Sequence, residues 1–264
     1  MLELQAHTGV ERVKYSICIG AYSDKDVIYH LEKVKTHGFH GLEYYNWWDL
    51  DLKETARAQE RIGVGINAIC TNFFNLVDPT KREKYVQGIR ETLEACHILE
   101  TKSIITQTGS FIEGTSRELQ QQAMIETLRE CATLCEKAGI TLEVEPLNGL
   151  DHHGHFLQYS DEAVYIMEQV NSSNVKLVFD VYHQQITEGN VIRNATNYVE
   201  HINHYHIADN PGRNEPGTGE LNYVNILKAI KATGYNGFIG LEGGYTVDTD
   251  EALNAFKNMI LTEI

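Results

Sequence analysis

Hydrophobic residues fall along this chain in two alternating rhythms. Short β-branched or aromatic runs occur at 15–20 (YSICIG), 41–45 (GLEYY), 65–70 (GINAIC), 102–107 (KSIITQ), 140–145 (ITLEVE), 175–180 (VKLVFD), 202–208 (INHYHIA) and 238–242 (FIGLE). Between and after them lie longer segments with apolar residues at helical spacing, near 25–37, 51–62, 79–99, 117–138, 161–170, 187–200, 223–233 and 249–262. Several of these segments stop at a glycine, as in KTHG, ERIG, EKAG and KATG, the residue that best accepts the positive φ of a helix end. Eight strand-then-helix pairs predict an α/β protein, a (β/α)8 TIM barrel, because parallel strands need helical crossovers. No Pro/Gly/Ser-rich linker or shift of composition interrupts the eight units, so residues 1–264 are expected to form one domain.

Composition narrows the partners. With 42% hydrophobic and 22% charged residues the chain can bury a large core. Its 22 Lys+Arg against 37 Asp+Glu give a formal charge of −15, which repels phosphate backbones and anionic lipids and argues against nucleic acid or a membrane surface as partner. The stretch MLELQAHTGVERVKYS lacks a secretory signal's layout and no run of about 18 apolar residues occurs, so a cytoplasmic protein is expected. Cys18, Cys70, Cys96, Cys131 and Cys135 read as reduced thiols, with Cys131 and Cys135, one helical turn apart, as small core residues. A homo-oligomer is left open.

In such a barrel the chemistry sits at the C-terminal ends of the strands. The fifth run ends at Glu145, the sixth at Asp180 and the eighth at Glu242, and the seventh carries His206. The two-residue period puts Val178 with Asp180, His204 with His206, and Gly240 with Glu242 on the inward face. Three carboxylates and one imidazole from four successive strands suit one divalent cation, Mg²⁺, Mn²⁺, Co²⁺ or Zn²⁺, with positions open to substrate. Glu43 ends the second run as Glu242 ends the eighth, and a supporting or rim role is expected of it; Glu143 shares the parity of Glu145 one layer deeper. His152, His153 and His155 belong either to a solvated loop or to a transition-metal site, and Asp151 could orient a ligand from behind. Trp47 and Trp48 would form a wall over substrate or pack beneath the next helix. The Pro/Gly-punctuated stretch from Asp209 to Asn222 is long for a barrel loop and is expected to cover the mouth.

At these residues LEVEPLN, LVFDVYH, NHYHIADNPGRNEPGTGELNY and FIGLEGG resemble the hydroxypyruvate isomerase family within the xylose isomerase-like TIM barrels. The likeness runs from about Tyr15 to the C-terminus, and FDVYHQQITEGN and NPGRNEPGTGELNY are its most specific parts. It implies a metal-dependent isomerase or epimerase of small hydroxy-carbonyl compounds or sugars, with Glu145, Asp180, His206 and Glu242 at the metal-site positions. It further implies that Glu145 and Glu242 form the acid/base pair and that His183 and Arg213 contact substrate. Two features depart from the pattern: His206 stands where hydroxypyruvate isomerases often carry Gln, and NGLDHHGHF lacks an arginine common after EPLN.

The reaction so implied moves a proton from the hydroxyl-bearing carbon through an enediolate to its neighbour, with carboxylates on either side of the plane exchanging protons. Competing readings are a lyase or dehydratase on the same barrel, an endonuclease IV-like nuclease, and a non-catalytic ligand-binding module. The acidic balance opposes the nuclease, and the intact pair Glu145 and Glu242 opposes the binding module.

Overall fold

A computed structural model describes residues 13–18, 25–72 and 75–263. Eight parallel strands close into a barrel in sequence order, β1 pairing with β8, as the alternation predicts. They are β1 (Lys14–Ile17), β2 (Gly41–Tyr44), β3 (Gly65–Cys70), β4 (Ser103–Gln107), β5 (Thr141–Glu145), β6 (Val175–Asp180), β7 (Ile202–Ile207) and β8 (Phe238–Leu241). Residues 19 and 20, assigned to the first strand from sequence, lie outside the described residues. Around the barrel run α1 (Val27–His37), α2 (Leu52–Ile62), α3 (Arg82–Leu99), α4 (Arg117–Ala138), α5 (Ser160–Val170), α6 (Val181–Thr187), α7 (Val191–Asn197), α8 (Tyr223–Ala232) and α9 (Thr249–Glu263).

Local chemistry sets these boundaries. Asp26, Asp51 and Ser116 precede α1, α2 and α4, and their side chains accept hydrogen bonds from first-turn amides that have no partner inside the helix. Gly38 ends α1 at φ 76° and Gly63 ends α2 at φ 73°, a conformation that would strain a Cβ-bearing residue.

One expectation fails. The stretch 187–200, expected as one helix, holds only the shorter α7 and a 3-10 turn at Val199–His201, and an unexpected helix, α6, ends at its first residue, Thr187. Gly189 at φ 61° and Asn190 at φ 49° break the chain between α6 and α7. The first of these helices begins directly after β6, and this brings His183 to the mouth of the barrel.

The main apolar core lies between barrel and helices, where outward residues such as Leu42, Ile104, Leu142, Val144 and Leu177 meet Leu31, Leu128, Ile166 and Leu227. Cys131 and Cys135 belong to this layer as free, buried thiols, in keeping with their reading as core residues. Inside the barrel the apolar set is small: Ala68, Cys70, Ile105 and Val178, with Tyr45 against them. The rest of the interior is polar yet buried, including Ser16, Glu43, Glu143, His204 and His206. A TIM barrel interior is usually filled by branched apolar side chains, so this much buried charge points to a task other than packing. Among the described residues no helix is long and apolar enough to cross a membrane.

Candidate active site

Strand register carries the four strand-end residues to one place. Gln107 pairs with Glu145 across β4 and β5, Asp180 with His206 across β6 and β7, and His206 with Gly240 across β7 and β8. Glu242 follows β8 directly, its amide donating to the Ile207 carbonyl at 3.0 Å. One donor atom each from Glu145, Asp180, His206 and Glu242 lies within 4.8 Å of the other three, and all four residues are buried.

His206 organises the cluster. Its Nε2 points into the barrel, 2.7 Å from Glu43 Oε2, and its Nδ1 faces the mouth, 3.4 Å from Glu145 Oε1 and 2.9 Å from Glu242 Oε2. Burial works against an imidazolium there, but the carboxylates of Glu43 and Glu145 outweigh it and hold the His206 pKa well above its ordinary value. Glu242 moves the other way for a carboxyl: burial, reinforced by the negative charge of Glu43, pushes its pKa well above the usual range.

Asp180 serves both strand and helix. Its Oδ1 accepts from the Tyr182 amide at 2.8 Å and so caps α6, while Oδ2 faces the mouth. Arg213 Nη2 lies 3.3 Å from that Oδ2 and 3.1 Å from Glu242 Oε2, with its guanidinium carbon 5.1 Å from the Tyr182 ring centre. Arg213 belongs to the loop from Asp209 to Asn222 and is the residue of that loop that lines the cavity at the mouth. The Asp209 carboxylate accepts from the amides of Asn210, Gly217 and Leu221, and the Arg213 carbonyl accepts from the Gly244 amide at 2.9 Å.

His183, in the first turn of α6, is fixed from behind. Asn148 Nδ2 donates to His183 Nδ1 at 2.6 Å and to Asp151 Oδ2 at 3.0 Å, and Asp151 Oδ2 also accepts from the Tyr182 hydroxyl at 2.8 Å. Nδ1 is therefore the acceptor, and the proton sits on Nε2, 3.5 Å from Asp180 Oδ2. Burial holds the His183 pKa down to about 3, so the ring is a neutral donor at pH 7. Asp151 thus acts through Asn148 on His183, an arrangement with no signature in the sequence beyond the carboxylate itself.

These groups surround a cavity of about 190 Å3 lined by Tyr45, Cys70, Gln107, Glu145, Leu147, His152, His183, Arg213 and Glu242. Gln107 has no place among the residues expected from sequence; it ends β4 in register with Glu145, which is the signal the strand pattern offers. The three histidines of DHHGHF separate. His152 lines the cavity with its ring centre 5.3 Å from that of His183, His153 is exposed, and buried His155 lies 3.1 Å from the Thr108 hydroxyl. They form no metal-ligand group among the described residues. Trp47 packs against the core and Trp48 is exposed, so neither walls the cavity; Tyr45 does. Glu143, the deeper carboxylate on β5, accepts from Asn203 Nδ2 at 2.6 Å and faces His204 Nδ1 at 3.4 Å.

The donor set fits a divalent cation. Three buried carboxyl groups this close are costly to ionise together: burial raises the Glu242 pKa, Arg213 and His206 face the carboxylates, and a dication would let all three ionise. Hard oxygens with one imidazole nitrogen make a ligand set for Mg²⁺, Mn²⁺, Co²⁺ or Zn²⁺.

Known proteins resemble this chain along most of its length. Residues 31–259 match the xylose isomerase-like TIM barrel family. The hydroxypyruvate isomerase of Escherichia coli K12 is 30% identical over 229 residues, 84% of this chain and 89% of that protein. The 2-oxo-tetronate isomerase of Cupriavidus necator is 38% identical over 119 residues, 45% of this chain and 46% of that protein. Among solved structures, an AP endonuclease of family 2 from Brucella melitensis superposes with a TM-score of 0.86 at 25% identity, covering 94% of this chain and 98% of the other. The chain therefore belongs to the hydroxypyruvate isomerase family of xylose isomerase-like TIM barrels and is an enzyme of the isomerase class.

Proposed function

We propose that this enzyme interconverts small hydroxy-carbonyl compounds by proton transfer through an enediolate, at a mouth where Glu145, Asp180, His206 and Glu242 hold one divalent cation. The observation that carries the reading is the convergence of those four buried groups within 4.8 Å beside a cavity of about 190 Å3. A bound dication supplies a Lewis acid that offsets negative charge developing on two adjacent substrate oxygens.

The chain's own residues account for the remaining work. Glu145 and Glu242 approach the cavity from different sides of the barrel, on β5 and after β8, so one can take a proton from carbon while the other returns one to its neighbour. His183, neutral and with Nε2–H aimed at the mouth by Asn148, donates to a substrate oxygen. Arg213 presents a planar fork from its loop and anchors the substrate's far end. Tyr45, Cys70 and Leu147 form the less polar part of the wall and restrict water.

A cavity of about 190 Å3 admits a substrate of three or four carbons with their oxygens. Hydroxypyruvate and 2-oxo-tetronate, named for the two relatives, are of this size. The endonuclease reading gains nothing from the cavity. The guanidinium that lines it, on Arg213, lies against two carboxylates, and the chain carries a charge of −15. A lyase or dehydratase would use the same enediolate, and no feature of the cavity favours it.

The test is solvent deuterium incorporation. Hydroxypyruvate, 2-oxo-tetronate and a panel of small ketoses and aldoses are incubated in D2O with Mn²⁺-supplemented protein and followed by mass spectrometry. One or more should gain a single deuterium together with appearance of the isomer. No exchange across the panel by protein with a bound ion would refute the reading.

A further inference from the structure

Glu43 lies deeper than the cavity and lines none of it, yet it is one of the most heavily bonded side chains in the barrel. Its Oε1 accepts from the Ser16 hydroxyl and from His204 Nε2, the latter at 3.0 Å, and its Oε2 accepts from His206 Nε2 at 2.7 Å. Strand β2 is separated from β7 by β1 and β8, so this side chain must cross the barrel interior to reach His206.

A glycine makes that crossing possible. Gly240 on β8 sits in register between Ser16 on β1 and His206 on β7. A Cβ at Gly240 would come within 2.2 Å of Glu43 Oε1, 3.0 Å of its carboxyl carbon and 3.0 Å of His206 Cδ2. The Glu43 carboxylate thus occupies the space that a side chain on residue 240 would fill. It is held there from the far side as well: His204 Nδ1 lies 3.4 Å from Glu143 Oε2, and Glu143 Oε1 accepts from Asn203 Nδ2 at 2.6 Å.

The consequence falls on His206. With Nε2–H committed to Glu43, the ring cannot turn about its Cβ–Cγ bond without losing a buried hydrogen bond to a carboxylate. Its Nδ1 is the nitrogen left to face Glu145 and Glu242. We propose that Glu43 is the positioning residue of the candidate centre: it sets the tautomer and orientation of His206, so that Nδ1 is presented to a dication held with Glu145, Asp180 and Glu242. His204 and Glu143 form the brace that keeps Glu43 in place. The inference rests on the four-ligand reading above and adds to it a residue that touches neither ion nor substrate. Carboxylates that orient a ligating imidazole through its second nitrogen raise metal affinity by about 10- to 100-fold elsewhere, and the same span is expected here.

The experiment titrates chelated wild-type protein, Glu43→Gln and Gly240→Ala with Co²⁺, reading both affinity and the visible bands of the bound ion. Cooperative urea unfolding in chelator serves as the fold control. Glu43→Gln should bind about 10- to 100-fold more weakly with shifted bands, and Gly240→Ala, whose new methyl displaces the carboxylate, should move both readouts in the same direction. Raising the metal concentration should restore turnover in Glu43→Gln, whereas a variant of Glu242 should not recover. Should Glu43→Gln fail to fold, Gly240→Ala and Ser16→Ala carry the test, the latter with a several-fold loss of affinity. Unchanged affinity and bands in the folded variants overturn the positioning role alone. A wild type that takes up no dication removes the four-ligand reading and this inference with it.

Discussion

Replacing Asp180 by Asn and by Ala separates its two duties. Oδ1 caps α6 through the Tyr182 amide at 2.8 Å, and Oδ2 faces the mouth beside Arg213 at 3.3 Å. Asn retains an oxygen for the cap but loses the charge; Ala loses both. Groups behind a metal site are worth about 10- to 100-fold in affinity, so loss of a charged group that touches the ion directly should weaken dication binding by about 100-fold or more in both variants. Stability of the metal-free protein should differ between them. Only Asn keeps an oxygen for the cap, worth about 1 kcal/mol, so Ala should be the less stable. Calorimetric titration with Mn²⁺ reads the first quantity and urea unfolding in chelator the second. Wild-type Mn²⁺ affinity in Asp180→Asn would refute the ligand assignment, and equal stability of Asn and Ala would refute the capping argument.

Three further outcomes follow from the same geometry. Glu145→Gln and Glu242→Gln keep an oxygen at the mouth but lose the proton-exchanging group, so turnover should fall by about two orders of magnitude or more, measured at saturating metal; retained turnover in both excludes the acid/base pair. Arg213→Lys keeps charge without the planar fork and should mainly raise KM if Arg213 binds a group unchanged by the reaction, or lower kcat if it meets the enediolate; kinetics matching the wild type would remove Arg213 from the site. His155 is held down to about 4, from an ordinary 6.5, by burial and secondarily by His152, so the unfolded chain takes up this proton first as pH falls. Its contribution is complete above about pH 6.5 and declines towards pH 4, by about 3 kcal/mol in all, and His155→Gln should flatten that part of the urea stability profile. Parallel profiles for variant and wild type would contradict it.

The barrel was legible in the sequence because each strand is a short β-branched run closed off by glycine or polar residues, and the four mouth residues were legible because strand ends and two-residue parity are local properties. The rest depends on closure. Glu143 could be placed one layer below Glu145, but its partners Asn203 and His204 lie on β7, about sixty residues on, and only the barrel brings them together. Glu43 was expected to support rather than react, in keeping with where it sits, yet nothing local says that it reaches His206 across Gly240. Helix α6 was missed because Asp180 ends a strand and caps a helix at once, with no Gly, Pro or Ser between VKLVFD and VYHQQIT. Of the aromatic residues after β2, parity alone could not choose the cavity-lining Tyr45 over Trp47 or Trp48.

The central claim, one dication among Glu145, Asp180, His206 and Glu242, is tested most directly by anomalous diffraction from crystals grown with Mn²⁺. The account predicts a single strong peak at the barrel mouth, in contact with one atom from each of the four side chains, with His206 bound through Nδ1 and Nε2 still against Glu43. A peak instead among Glu43, His204 and His206, the other buried group able to hold an ion among the described residues, would contradict it, as would the absence of any peak in the barrel.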